Sequence, residues 1–510
     1  MTEILPAADI DLAAIALFAP RPTSPPGRTR GGFSMAGEPR NQLERDVATQ
    51  PAPHGGQAGK VVPAPRVQRA LAGEIDWALV DVLRERVSAE LSERDPDPAQ
   101  REMVGREIIA GVLEEESRAS TVRGQLTWTL EHQDRLAQAL FDAVFRLGRL
   151  QPYLDDPSIE NVIISGFDDV LVENSNGELV RAEPVASSDD QLIEYLTFLA
   201  AHQPKPREFS EAASKLHLAL PGRARMFASA WVTSRPTVII RRNRLVDAGL
   251  PELVELGSLS QVAASFLSAV VQARMSLVVS GDQGTGKTTM LRALAHELPP
   301  HVQIGTIETE YELYLKDTGD HQVVHEWQAN PGSGEIGLNG RRAGEYTVRE
   351  ALEDSLRANL AYTIVGEVRG AEVVTMFKCM QSGSGSMSTT HARSAEGAIR
   401  KLVTCATQEG ANITRDYALN VIAEDIDVIV QLQVESVPQQ DGTWRKRRWV
   451  SEIIAVEPGE DAKGYATTTI FAADHGTHRA IAVLLPPRLR FLEGFGFDLP
   501  AFNAERGVHG

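Results

Sequence analysis

Chemistry concentrates in one stretch, "SLVVSGDQGTGKTTMLRAL", residues 276–294. It contains Gly281, Gly284, Gly286, Lys287 and Thr288 in the full pattern G-x-x-x-x-G-K-[ST]. Glycines let a backbone turn tightly enough for its N–H groups to face one anion. A lysine at the next position reaches the β- and γ-phosphates of a nucleotide, and the following hydroxyl ligates Mg²⁺. Gly281, Gly284, Thr285, Gly286, Lys287, Thr288 and Thr289 are therefore the expected nucleotide-binding set, with ATP and Mg²⁺ as ligands. The context agrees. "SLVV" reads as a buried strand just before the loop, and Leu291, Leu294 and Leu298 mark a helix just after. That helix's N-terminus adds partial positive charge beneath the anion. The competing reading, a degenerate loop that no longer binds, sits poorly with an intact Lys287 and Thr288.

Hydrolysis needs more than a loop. An acid at a neighbouring strand end must hold the metal and help activate water. "AYTIVGEVRG" supplies one, with Tyr362 to Val365 as strand and Glu367 just beyond Gly366. In a doubly wound sheet such an end points at the phosphate crevice, so Glu367 is the expected metal-side acid beside Thr288. A second acidic strand end is "VQIGTIETEYEL", with Glu308, Glu310 and Glu312. One of them orients the attacking water, or the three form a solvated face. A third polar strand end, "GSGSMSTTHARS", carries Thr389, Thr390 and His391. A lone histidine is more often structural than functional.

The elements that must position these groups emerge from the rest of the chain. Its 510 residues exceed one ordinary core, so two or three domains are expected. Residues 1–73, with "PRPTSPPGRTRGG" and "PAPHGGQAGKVVPAPR", are too rich in Pro and Gly to bury a core and read as a disordered arm. Within that arm "IDLAAIALF" is weighed as an amphipathic anchor against a frayed tail. Residues 74–147 form a helical extension: Trp77, Val80, Leu83, Val87 and Leu91 share one face. Further helices follow at Ile108–Leu113 and Leu136–Leu147. Residues 148–248 read as a mixed α/β domain. Its strands are "IENVIISG", "DVLVEN", "RARMFASAWV" and "PTVIIRR", and its helix is "SDDQLIEYLTFLAAH". Residues 249–475 alternate strand and helix, the pattern of a parallel sheet, and 476–510 are taken as a C-terminal tail.

The formal net charge of -18 argues against extended binding to a nucleic-acid backbone. Cys379 and Cys405 form neither a CxxC pair nor a zinc spacing, which fits a reducing, cytoplasmic compartment. No stretch supplies the roughly 20 uninterrupted apolar residues of a membrane span, and the first residues do not read as a signal peptide.

Four elements thus occur in order: P-loop, Glu-rich strand end, Gly-Glu-x-Arg-Gly, and Thr-x-His-Ala. In this order they resemble the type II/type IV secretion and pilus-assembly ATPases, the secretion "protein E" family, nearest its tight-adherence (Flp) pilus branch. The resemblance covers about residues 145–455. "LGRLQPYLDDPSIENVIISG" is similar to the family's entry into its N-terminal domain, "IVGEVRGAE" to its Walker B segment and "SMSTTHARS" to its His box. "AEDIDVIVQL" and "WRKRRWVSEIIAV" are similar to its closing strands. The resemblance implies a P-loop NTPase with a RecA-like C-terminal domain, a smaller α/β N-terminal domain, nucleotide between the two and a hexameric ring. It implies Lys287 and Thr288 as Walker A residues, Glu367 as the Walker B acid, and Glu308 and Glu312 as acids of the Asp box, with Glu308 orienting water. It also implies His391 as the later histidine of the His box, and Arg225, Arg241 and Arg242 as arginines that close on the phosphates. Three positions depart: Thr309 stands in place of Asp, Ser384 lies where an earlier His is usual, and Asn359 replaces a second Arg after Arg357. A slow or partner-activated ATPase fits these departures. The implied role is a motor for pilus assembly or secretion, docked on an inner-membrane platform protein at the cytoplasmic face. The alternatives are a nucleotide-binding scaffold with weak turnover and a nucleic-acid translocase.

Overall fold

A computed structural model describes residues 75–509 apart from 125–127, 204–205, 243–247, 333–335, 339, 411–412, 440–443, 460–462 and 474–476. The arm expected at 1–73, with its weighed anchor, lies outside the described residues. The chain divides into two compact units, 1–151 and 152–510.

The described residues of the first unit form a three-helix bundle. Helix α1 (Trp77–Arg94) starts where the Asp76 carboxylate accepts the N–H groups of Ala78 and Leu79, and it stops at Asp95, whose φ is 40°. Its Val80, Leu83, Val87 and Leu91 recur at helical spacing and are fully buried. They meet Ile108, Ile109, Val112 and Leu113 of α2 (Arg101–Val122) and Leu136, Leu140 and Val144 of α3 (Leu130–Phe145). Burying each such side chain contributes about 1.5–3 kcal/mol at most.

The second unit holds two sheets. A short helix, α4 (Gln151–Asp155), leads into β1 (Ile159–Ser165), β2 (Val170–Asn174), β3 (Leu179–Arg181), α5 (Asp189–Ala201), β4 (Lys215–Leu220), β5 (Ala224–Ser229) and β6 (Thr237–Arg241). The six strands form one sheet in the order β3-β2-β1-β6-β5-β4. Neighbours run antiparallel, and the register sets Arg225 directly opposite Arg241, so both arginines share a face.

The larger sheet follows. Helices α6 (Leu250–Glu255) and α7 (Gln261–Gln272) precede β7 (Leu277–Gly281) and α8 (Lys287–His296). Then come β8 (Gln303–Glu308), α9 (Leu315–Thr318), β9 (Val323–Gln328), α10 (Val348–Ser355), β10 (Tyr362–Val368), α11 (Glu372–Met380) and β11 (Gly385–Thr390). Helices α12 (Ala395–Gln408) and α13 (Arg415–Asp425) lead to β12 (Val428–Pro438), β13 (Trp444–Pro458), β14 (Tyr465–Ala473), β15 (Ala480–Ala482) and α14 (Leu499–His509). The order is β15-β14-β13-β12-β7-β11-β10-β8-β9. From β12 through β9 the pairs are parallel, and β13, β14 and β15 extend the sheet antiparallel. Strand β7 is buried along its whole length: Leu277 and Val279 face the core under α7 and α8, while Val278 faces the opposite core with Val365 and Ile429. A strand covered on both faces reads as a continuous apolar run, which is why "SLVV" shows no alternation.

The fold is therefore α/β with a P-loop NTPase core. Two details differ from expectation. Strand β4, "KLHLAL", alternates buried and exposed side chains yet escapes the sequence reading. The segment read as a tail supplies β15 and places Leu489, Leu492, Phe497 and Phe502 in the same core as Phe266 and Phe471.

Candidate active site

The loop between β7 and α8 takes the shape its glycines permit. Gly284 and Gly286 have φ of 77° and 93°, a region costly for residues with a Cβ. A Cβ on Gly281 would lie 2.6 Å from Thr285 Oγ1 and 2.8 Å from the Leu432 carbonyl oxygen. Helix α8 begins at Lys287, whose Nζ donates to the carbonyls of Gly281 (3.1 Å) and Asp282 (3.0 Å) and lies 3.3 Å from His391 Nδ1. Burial lowers the Lys287 pKa to about 8, with Glu367 opposing and Arg241 reinforcing the shift. A buried ammonium among carbonyls gains from an added anion, so this loop fits a phosphate group.

The acidic strand ends converge beside it in a cleft of about 50 Å³ lined by Arg225, Thr288, Glu308, Glu310, Glu312, Glu367 and Arg369, among others. Glu308, at the end of β8, is only 3% exposed. Its Oε2 accepts the N–H groups of Glu312 (2.8 Å) and Leu313 (3.1 Å), while Oε1 has no partner among the described residues. Burial dominates and raises its pKa to about 8. The three glutamates are thus no solvated face. Glu312 accepts the Thr288 hydroxyl at 2.8 Å. Arg225, reaching across from β5, pairs with both Glu310 and Glu312. His217 Nδ1 lies 2.9 Å from Glu310, and this bond, with Arg225, holds the Glu310 carboxyl at about 2.

Glu367 sits in β10 with both oxygens engaged. His391 Nε2 lies 2.7 Å from Oε1 and Arg369 Nη2 lies 2.5 Å from Oε2. Burial pushes its pKa up, but these hydrogen bonds and the Arg369 charge outweigh burial and bring it to about 2. His391 thereby stands between the Lys287 ammonium and the Glu367 carboxylate. Thr389 and Thr390 brace the strand ends by donating to the carbonyls of Gly366 (2.8 Å) and Val368 (3.0 Å).

On its other flank the loop borders a cleft of about 640 Å³ lined by Gly284, Thr285, Gly286, Thr289, Arg241, Arg242 and the run Arg445 to Arg448, among others. Burial lowers the Arg241 pKa. Arg242 lines this cleft too, but its guanidinium donates to the carbonyls of Asp156 and Ile159. The structure thus brings Lys287, Thr288, Glu308, Glu312, Glu367, His391 and Arg225 into one network, sets Arg241 on the opposite flank, and leaves Arg242 bracing the entry to β1. Arg357 is exposed and pairs with Asp354. Sequence reading missed Arg369, His217 and Arg448; the four consecutive basic residues in "WRKRRW" were the available signal for the last.

A magnesium–nucleotide pair fits this donor set. Among the described residues no group of three or more His, Cys, Asp or Glu side chains could hold an ion alone. Mg²⁺ needs no such cage, because it is commonly bound by one or two protein oxygens plus substrate phosphates and water. Thr288, Glu312 and Glu367 would supply the protein oxygens, and the ion would neutralise phosphate charge.

The chain is similar to several known proteins. A family model described as "Type II/IV secretion system protein" matches residues 182–458. An uncharacterised protein of Methanocaldococcus jannaschii is 31% identical over 211 residues, covering 41% of this chain and 70% of that one. The type IV secretion system protein PtlH of Bordetella pertussis is 33% identical over 171 residues, covering 33% of this chain and 48% of PtlH. The chain therefore spans about half the length of that relative. The crystal structure of the VirB11 ATPase of the Brucella suis type IV secretion system has 24% identity and a TM-score of 0.30, covering 60% of this chain and 95% of that one. With more than half its length matched by one family model and an intact P-loop facing two acidic strand ends, the chain belongs to the type II/IV secretion system protein family and is an ATPase.

Proposed function

We propose that this chain is an ATP-hydrolysing motor that works as a hexameric ring, nearest the tight-adherence pilus branch, and powers pilus assembly or secretion. One observation carries the reading: the P-loop lysine, the β10 acid and the β8 acids meet in a single network that an arginine from the six-stranded sheet enters. Lys287 and the loop amides bind the phosphates. Thr288 and Glu367 hold the Mg²⁺ side. Glu308, whose pKa of about 8 suits a base near neutral pH, orients and deprotonates the attacking water. Arg225 meets the charge that develops on the transferring phosphoryl group, which guanidinium groups stabilise well, and Arg241 holds the nucleotide's phosphates from the larger cleft. Because Arg225 is carried by one sheet and its glutamate partners by the other, the state of the nucleotide changes what joins the two sheets, and that coupling performs work.

The platform partner is an inner-membrane protein, with this chain peripheral at the cytoplasmic face. Among the described residues no helix is long and apolar enough to cross a membrane. A second reading, a scaffold with weak turnover, is favoured by Thr309 in the Asp box and by a Glu308 carboxyl that keeps its proton at neutral pH. Phosphate release from purified protein separates the two. Wild type should exceed Lys287→Ala by about 100-fold or more. Equal background in wild type and variant would leave only the scaffold.

A further inference from the structure

One arginine outside the expected set touches the phosphate loop itself. Arg448 lies on β13, and its Nε donates to the Gly284 carbonyl at 2.8 Å. The same guanidinium reaches Glu160 Oε1, on β1 of the other sheet, with Nη2 at 2.9 Å. A trans peptide is planar and carries its C=O and N–H on opposite sides. Holding the Gly284 oxygen outward therefore turns the Thr285 N–H inward. Its direction is visible: the Thr285 N–H and the Lys287 ammonium both point at the Asp282 carbonyl, at 3.4 and 3.0 Å. Both donors thus lie on one side of the loop, where the Asp282 carbonyl accepts them. Gly284 needs this support, since with φ of 77° and no side chain it can rotate its peptide at little cost.

Two residues away, on the same face of β13, Lys446 pairs with Glu173, and its N–H donates to the Asn176 carbonyl at 3.2 Å. Strand β13 is thus strapped to β1 through Arg448 and to the β2–β3 hairpin through Lys446. The geometry points to Arg448 as a positioning residue. It fixes the Gly284–Thr285 peptide in its phosphate-facing orientation, and through Glu160 it ties that orientation to the six-stranded sheet. This deepens the ATPase reading and rests on it. Beside the Arg225 contacts, this side chain couples nucleotide release to movement of that sheet.

The test uses the full chain with Arg448→Met, Arg448→Lys and Glu160→Gln. Its readouts are titration with a fluorescent ADP analogue, ATP turnover, melting temperature and amide hydrogen exchange of the peptide covering 281–290. Arg448→Met should weaken ADP-analogue binding about tenfold, as expected for loss of a charged hydrogen bond, and should speed exchange in the loop. Arg448→Lys keeps one donor but not the fork, so affinity should return to within about threefold of wild type while turnover stays low. Glu160→Gln should lower turnover with affinity within about twofold. Unchanged loop exchange in Arg448→Met, or Arg448→Lys matching Arg448→Met in affinity and exchange, overturns the proposal. If wild type binds no ADP analogue, the ATPase reading falls, and loop exchange still decides for or against Arg448.

Discussion

Two clefts flank the same loop, and they are built on opposite principles. The larger, about 640 Å³, is lined by Arg241, Arg242 and the basic run of β13. The smaller, about 50 Å³, gathers Glu308, Glu310, Glu312 and Glu367 against Arg225 and Arg369. In the first, cations stand in excess, so an anionic ligand gains from entering. In the second, most charges already have partners of opposite sign, and Glu308 keeps its proton through burial. Binding and bond cleavage place opposite demands on electrostatics. On the proposed reading the two demands fall on different parts of the loop: Gly284, Thr285, Gly286 and Thr289 border the first cleft and Thr288 the second. A net charge of -18 conceals that arrangement, because the basic flank is local.

The contrast can be broken most severely at Glu367. Glu367→Gln should reduce turnover about 100-fold while ADP-analogue affinity stays within about threefold, read by phosphate release and fluorescence titration. Equal losses in both would mean that the small cleft is also a binding site. Next in size is pH. At saturating ATP the phosphates keep Lys287 charged, so the ionisation of Glu308 governs the rate. Its base form grows as pH rises toward about 8, and turnover should fall about fivefold from pH 8 to pH 7 and flatten in Glu308→Gln. A flat wild-type profile would remove Glu308 as the base. Arg225→Ala should cost turnover about fivefold with affinity kept, whereas Arg241→Ala should cost about threefold in affinity, more at low salt. If the two arginines behave alike, the division between clefts is wrong.

A separate effect concerns stability. The native state keeps a proton on Glu308 up to about pH 8, while the unfolded chain releases it near the ordinary 4.5. The unfolded form therefore binds fewer protons between these values, and stability declines as pH rises through that window, by at most about 1.4 kcal/mol per unit. Urea titrations should show a shallower decline in Glu308→Gln.

What the sequence made legible was local. The P-loop needs only neighbours in the chain, so Gly281 to Thr288 and the flanking β7 and α8 could be read directly. Glu367 and His391 were legible because each closes an apolar or small-residue strand. Long-range pairing was not legible. Arg225 meets Glu310 across 85 positions and Arg448 meets Glu160 across 288, and no periodicity encodes either meeting. The register that sets Arg225 opposite Arg241 depends on antiparallel order in the smaller sheet. Residues 480–482 form too short a strand to announce themselves, and only their pairing with β14 identifies them. Glu308, Glu310 and Glu312 illustrate the limit best. One short motif holds a protonated buried acid, a strongly ionised one and a hydroxyl acceptor, and tertiary neighbours alone set the difference.

Both cysteines of the chain lie in the core beneath β10 and β11: Cys379 and Cys405 are 1% and 0% exposed. Burial pushes the Cys379 thiol up to about 12, and the Cys405 thiol donates to the Arg369 carbonyl at 3.3 Å. Thiol-reactive dyes attack the exposed thiolate, so the native protein is a silent background for maleimide labelling. A single cysteine introduced on the β2–β3 hairpin, with a second at exposed Thr404 on α12, would accept a donor–acceptor pair without removing either natural thiol. Distance changes between the two sheets could then be followed during turnover in otherwise unaltered protein.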